Sequence, residues 1–144
     1  MRIFGEHISN SVADTNALGA RLAEILNAGS VAAFEGDLGS GKTTMIKAIV
    51  GILGADISEV ASPSFAIVHD YGGSTPLHHI DLYRVEPDEL EQLGLREILD
   101  GDDICLVEWA DKFPSLIPPG TLWVHIERID ENSRKISISR QDKL

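Results

Sequence analysis

The chain has a single cysteine, Cys105, in 144 residues, which excludes an internal disulfide and any zinc site built from several cysteines. It sits within the apolar run Ile104-Cys105-Leu106-Val107, so a buried, inert thiol is expected rather than a nucleophile. Long apolar runs are absent as well, and none approaches the ~20 residues needed to span a bilayer. The opening MRIFGEHISNS carries Glu6 and His7 where a secretory leader needs its apolar centre, so a cytoplasmic location is expected. Basic side chains are few: 12 lysines and arginines face 23 acids, for a formal net charge of -11. Proteins that grip nucleic acid by themselves neutralise phosphates with clustered Lys and Arg, so this balance argues against direct nucleic-acid binding. The acidic surface suits either a basic protein partner or plain solubility. Repeats, low-complexity segments and linkers are also missing, which leaves one domain over residues 1–144 as the expectation.

Against these absences stands Gly36-Asp37-Leu38-Gly39-Ser40-Gly41-Lys42-Thr43, a complete G-x-x-x-x-G-K-[ST] motif. Its flanks meet the structural demand the motif makes. Val31-Ala32-Ala33-Phe34 reads as a buried strand, and Thr44 to Leu53 follows as a helical pattern without proline. Glycines allow successive backbone N–H groups to turn inward around an anion, because no Cβ blocks the approach. The helix beginning at the loop adds its positive N-terminal end. Asp37, Leu38, Gly39, Ser40, Gly41, Lys42, Thr43 and Thr44 are therefore the expected nucleotide-binding residues. Lys42 reaches the outer phosphates, and the Thr43 hydroxyl is placed to ligate magnesium.

The rest of the chain reads as α/β. Met1 to Ile8 is a first strand. Ser11 to Leu26 is an amphipathic helix, with Leu18, Leu22, Ile25 and Leu26 on one face, Ser11-x-x-Asp14 as its cap and Gly29 closing it. Phe65 to Tyr71 and Pro76 to Asp81 form a hairpin turned at Gly72-Gly73, hence an antiparallel pair. Pro87 to Leu99 is patterned as a helix that Gly94 interrupts. Ile104 to Val107, Thr121 to Ile129 and Lys135 to Arg140 are further strands. The sum is a mixed sheet with helices on both faces and the phosphate loop on a central strand.

Hydrolysis needs more than the loop: acids at the ends of neighbouring strands must hold magnesium and orient water. Glu108 ends the run Ile104 to Val107, and Asp81 ends His78-His79-Ile80. Glu108 is read as functional; Asp81 is, by pattern alone, equally a site acid or a solvated strand end. Adjacent histidines point to opposite faces of a strand, so His78 and His79 are read as structural, one of them available to hydrogen-bond at the site.

Taken together, Gly-Asp-Leu-Gly-Ser-Gly-Lys-Thr-Thr at 36–44, Ser-Pro-Ser-Phe at 62–65, His-Ile-Asp-Leu-Tyr-Arg at 79–84, Glu-Leu-Glu-Gln-Leu-Gly at 89–94 and Val-Glu-Trp at 107–109 resemble the TsaE (YjeE-type) ATPases over nearly the whole chain. The resemblance implies an ATP- and magnesium-dependent ATPase that works with the TsaB and TsaD proteins. That assembly installs threonylcarbamoyl on the adenosine beside the anticodon of ANN-decoding tRNAs, and TsaE sustains or resets it. It also implies roles: Lys42 on the phosphates, Thr43 and Glu108 on the metal, Asp81 near the metal or attacking water, and Trp109 beside the site. Ser62 to Phe65 resembles a switch-like loop facing the γ-phosphate, with Ser62 and Ser64 lining the site. The family usually carries threonine at position 64, so the hydroxyl survives here and a methyl is lost. Thr15 and Arg134 are candidates for the adenine side.

Rival readings have specific requirements. A small-molecule kinase usually carries its loop nearer the N-terminus, here at residue 36, and an arginine-rich lid; these arginines are scattered. No arginine-finger loop is obvious; Arg84 and Arg96 are the possible fingers, with nothing in the sequence to support either. None of the four asparagines forms a guanine-reading N-K-x-D, and Asp70-x-x-Gly73 matches only a common hairpin pattern. Gly39-x-Gly41 is followed by Lys, Thr and Thr, so no dinucleotide fingerprint exists. A regulatory nucleotide-binding module with incidental hydrolysis is the alternative from another class.

Overall fold

Val31, Ala32, Ala33 and Phe34 are all buried, as a strand covered on both faces must be, and this run lies at the centre of the sheet. The computed structural model describes residues 3–37, 39–54, 68–71 and 75–140. Their elements run β1 (Gly5–Ser9), α1 (Val12–Ile25), β2 (Val31–Glu35), α2 (Lys42–Ile52), β3 (Val68–Tyr71), β4 (Leu77–Asp81), α3 (Glu89–Gln92), α4 (Leu95–Leu99), β5 (Ile104–Glu108), β6 (Leu122–Arg128) and β7 (Arg134–Arg140). Two short 3-10 turns, Ala110–Lys112 and Pro114–Leu116, lie between β5 and β6.

The described strands form one sheet in the order β1-β7-β6-β2-β5-β4-β3. β6, β2, β5 and β4 run parallel, while β7, β1 and the edge strand β3 pair antiparallel to their neighbours. The expected mixed sheet and antiparallel hairpin are both present.

Strand alternation divides the core in two. Ala32 and Phe34 of β2 with Ile104 and Leu106 of β5 face Leu18, Leu22, Met45, Ile46 and Ile49 of α1 and α2. Val31, Ala33, Cys105 and Val107 face Leu95 and Leu99 of α4, with Ala110 and Leu116 from the two turns. Cys105 is fully buried, and burial pushes its thiol up to about 12, so the inert reading holds.

Element ends shift where local chemistry outweighs pattern. Ser11 caps α1, its side chain accepting the Asp14 N–H at 3.1 Å, while the Asp14 carboxylate accepts the Asn10 N–H at 2.9 Å. Gly29 does not close this helix. α1 stops at Ile25 because Leu26 is already extended, and Gly29 belongs to the following turn, closed by Ser30 N–H on the Asn27 carbonyl at 2.8 Å. α2 begins at Lys42, two residues before the expected Thr44, so the last motif residues form its first turn. The first strand is realised as Gly5–Ser9, and Gly94 separates α3 from α4 as expected. Residues 65–67 of the expected β3 and the 72–73 turn lie outside the described residues.

Candidate active site

The loop after β2 is shaped by two glycines. Gly36 has φ +146°, and a Cβ there would run into the Ile126 carbonyl oxygen of β6. Gly41 has φ +111° and caps α2, which lets the chain turn directly from loop into helix. Lys42 on the first turn points back into the loop: its Nζ donates to the Gly36 carbonyl and, at 3.5 Å, to that of Asp37. The same ammonium lies 3.8 Å from the centroid of the Trp109 ring. Burial pushes this lysine below its ordinary range, against the opposing pull of Glu108, Asp111, Asp81 and Asp37.

β5 and β4 bring the acids. Parallel pairing sets Phe34 against Glu108 and Asp81 against Glu108, so Glu108 emerges beside the loop strand and Asp81 one strand further, at the same end of the sheet. Lys42, His79, Asp81 and Glu108 are each 5% exposed or less. Glu108 Oε2 accepts from His79 Nε2 at 2.7 Å. Asp81 Oδ1 accepts the Tyr83 N–H at 3.0 Å, while Oδ2 is buried with no hydrogen-bond partner among the described residues. Burial raises the Asp81 carboxyl above its ordinary range; the Tyr83 N–H works against that and the Glu108 charge adds to it. Trp109 follows Glu108 at φ +58°, the one non-glycine residue with positive φ among those described, and its ring lies 4.8 Å from that of Tyr83. This backbone conformation costs about 1–3 kcal/mol and turns the indole over Lys42.

Arg134 reaches the loop from β7. Its Nε donates to the Ser40 carbonyl at 2.7 Å and an Nη to that of Gly39 at 3.4 Å. With Thr15, Ser40, Gly41 and Thr44 it lines a cleft of about 100 Å³ on the outer side of the loop. Thr15 is tied to Ser9, hydroxyl to hydroxyl at 2.7 Å.

The fold thus gathers Lys42, Thr43, Asp81, Glu108 and Trp109 around one loop, with Thr15 and Arg134 grouped on its far side. Asp37 and Gly39 are exposed on the loop, Ser40 is buried and Thr44 half-buried; Leu38, Ser62 and Ser64 lie outside the described residues. Sequence reasoning missed the Tyr83 ring on Trp109 and the tie from Arg134 to the loop carbonyls. Neither carries a local signal, since each depends on a partner many residues away. Of the two histidines, His79 is the one at the site; His78 faces away, bonded to Asp70 and Asp103.

The residues fit a magnesium nucleotide. Buried Ser40 Oγ and Asp81 Oδ2 lack partners among the described residues, the Gly36 turn leaves no room for a side chain, and the donor set is a hydroxyl and carboxylates, the hard oxygens magnesium prefers.

Comparison with known proteins identifies the family. The family described as "Threonylcarbamoyl adenosine biosynthesis protein TsaE" matches residues 9–136. The tRNA threonylcarbamoyladenosine biosynthesis protein TsaE of Bacillus subtilis is 40% identical over 127 residues, covering 88% of this chain and 79% of its own length. Its counterpart in Nostoc is 39% identical over 128 residues, covering 85% and 77%. The crystal structure of Bacillus subtilis YdiB superposes with a TM-score of 0.76 at 30% identity, over 96% of this chain and 85% of that one. A family match over residues 9–136 and relatives 39–40% identical over most of the chain leave one conclusion: it belongs to the TsaE family, whose proteins take part in tRNA threonylcarbamoyladenosine biosynthesis.

Proposed function

We propose that this protein binds and hydrolyses ATP with magnesium, and that it does so in support of a TsaB–TsaD complex carrying out threonylcarbamoyl transfer to tRNA. The observation that carries the reading is the convergence on one loop of a buried lysine and two buried strand-end carboxylates. Burial, with the neighbouring Glu108 charge adding to it, raises the cost of ionising Asp81, an arrangement a cation relieves and a purely structural site has no need of.

In this reading the loop N–H groups and the α2 terminus hold the phosphates. Lys42 exchanges the Gly36 and Asp37 carbonyls for phosphate oxygens, while the Trp109 face keeps its ammonium aimed inward. Magnesium, when bound, would supply neutralisation of the phosphate charge. Thr43 and Glu108 are the residues that would hold it, and Asp81, through Oδ2, orients the attacking water. Thr15 and Arg134 border the cleft where the nucleoside end would leave the loop.

Calorimetry and phosphate release on two variants test this. Lys42→Ala is expected to lose about 1.5–3 kcal/mol of ATP affinity, roughly ten- to a hundredfold, with no turnover left. Glu108→Gln is expected to keep affinity within roughly threefold while turnover falls about a hundredfold or more. Parental affinity in the first variant or parental turnover in the second would show that the roles are misassigned. ATP affinity without turnover in the parent, alone and with TsaB and TsaD, would make the chain a binding module.

A further inference from the structure

We infer that His79 is the positioning residue for Glu108: its Nε2–H fixes the carboxylate in the orientation that hydrolysis uses. The inference rests on the ATPase reading above. Its starting point is the buried pair, with His79 Nε2 and Glu108 Oε2 2.7 Å apart and both side chains at most 4% exposed. An ionised carboxylate only accepts hydrogen bonds, so the imidazole must donate, and that places a proton on Nε2.

His79 Nδ1 is buried with no partner among the described residues. A histidine kept for packing alone would leave a polar atom unpaired for nothing, where a leucine would fill the same space. Among the described residues Nε2 is the bonded nitrogen, and its donation to Glu108 is something an apolar side chain cannot supply.

The ring is also held in place. His79 pairs across the hairpin with His69 in β3, their ring centroids 6.0 Å apart, and His69 lies 6.4 Å from Tyr71 at an interplanar angle of 20°. One oxygen of Glu108 is thereby pinned from β4, by the strand that also carries Asp81 two residues on, on the same face. The two acids end up different: Glu108 is oriented by a side-chain donor, and Asp81 Oδ2 has no partner among the described residues. His78, one residue away, bonds Asp70 and Asp103 on the opposite face and supplies a control with the same chemistry.

The test uses the full chain. With histidines labelled with nitrogen-15, nucleotide-free protein is expected to show a downfield, slowly exchanging His79 Nε2 proton that moves in Glu108→Gln. His79→Ala is expected to lower turnover at saturating ATP roughly ten- to a hundredfold, with ATP affinity by calorimetry within about threefold. His79→Leu, which fills the volume without a donor, covers an alanine variant that fails to fold and must lose turnover in the same proportion. His79→Gln, which keeps a donor N–H, is expected to recover most of the loss, and His78→Gln to leave turnover unchanged. Absence of the proton signal, parental turnover in the donor-less variants, or equal losses of affinity and turnover overturns the role of His79. A parent that hydrolyses no ATP, with or without partners, overturns the ATPase reading itself, and the positioning role with it.

Discussion

Asp81 weakens the fold at neutral pH, and that cost is measurable. Its carboxyl is raised above the ordinary range by burial, so the native state binds the proton more tightly than the unfolded chain does. The contribution to stability is therefore greatest below the ordinary carboxylate range and is lost as pH rises through the native value. Asp81→Asn keeps the acceptor for the Tyr83 N–H and removes the buried charge. At pH 7, without nucleotide or magnesium, the variant is expected to melt about 2–6 °C above the parent, with the gap closing as pH falls toward 4. Its ATP turnover should meanwhile drop. A melting point at or below the parent's, or a gap that ignores pH, would contradict the account. The sequence left Asp81 undecided because an acid at a strand end looks the same whether the next element covers it or water does. Burial beside Glu108 of β5 shows that it is not a solvated strand end.

Among the elements, the phosphate loop is braced by two strands distant in sequence. β6 presses the Ile126 carbonyl against Gly36, and β7 sends Arg134 onto the carbonyls of Ser40 and Gly39. Inward-facing N–H groups need carbonyls that face outward, and a guanidinium is suited to hold two of them at once. Arg134→Ala is expected to loosen the loop and weaken ATP affinity roughly tenfold, as the loss of charge-assisted hydrogen bonds of ~1.5 kcal/mol would. Arg134→Lys should recover only part, since an ammonium cannot span both carbonyls. Unchanged affinity by calorimetry in Arg134→Ala would remove the brace from the account. The motif at 36–43 predicted the loop and its flanks correctly, yet α2 began two residues early and Gly29 failed to close α1. In both cases the backbone turned where tertiary packing required it, at Gly41 and at Leu26, and periodicity carries no information about such ends.

For the whole molecule, net charge and the scatter of the arginines point the same way. Arg96 sits on α4, whose buried residues Leu95 and Leu99 pack on the side of the sheet away from α1 and α2, and Arg84 is exposed, close enough to Asp81 to favour its ionised form. A missing arginine finger costs roughly a thousandfold or more in phosphoryl transfer. The net charge of -11 repels a polyanion beyond the reach of one loop. The isolated chain is therefore expected to turn ATP over slowly, to speed up roughly tenfold or more with TsaB and TsaD, and to leave tRNA unshifted in gels at low salt. Full-speed turnover in isolation would refute the first expectation, and tight, salt-sensitive tRNA binding the last.

What the sequence determined by itself is what local chemistry enforces. A glycine-rich turn between a buried strand and a helix is spelled out in one contiguous run, and four apolar residues ending in Glu108 deliver that acid to the end of a buried strand. The same holds for the antiparallel hairpin and the buried Cys105, each written in a contiguous run. Tertiary structure alone decided which strands are neighbours, and so which side chains meet. The parallel register of β4 on β5 turned His79 from one of a structural pair into the partner of Glu108, and put Asp81 beside it. The β7 register carried Arg134 to a loop some 94 positions earlier in the chain. Contacts between residues so far apart leave no trace in spacing or periodicity, because the free energy that selects them belongs to the packed sheet and not to any segment of it.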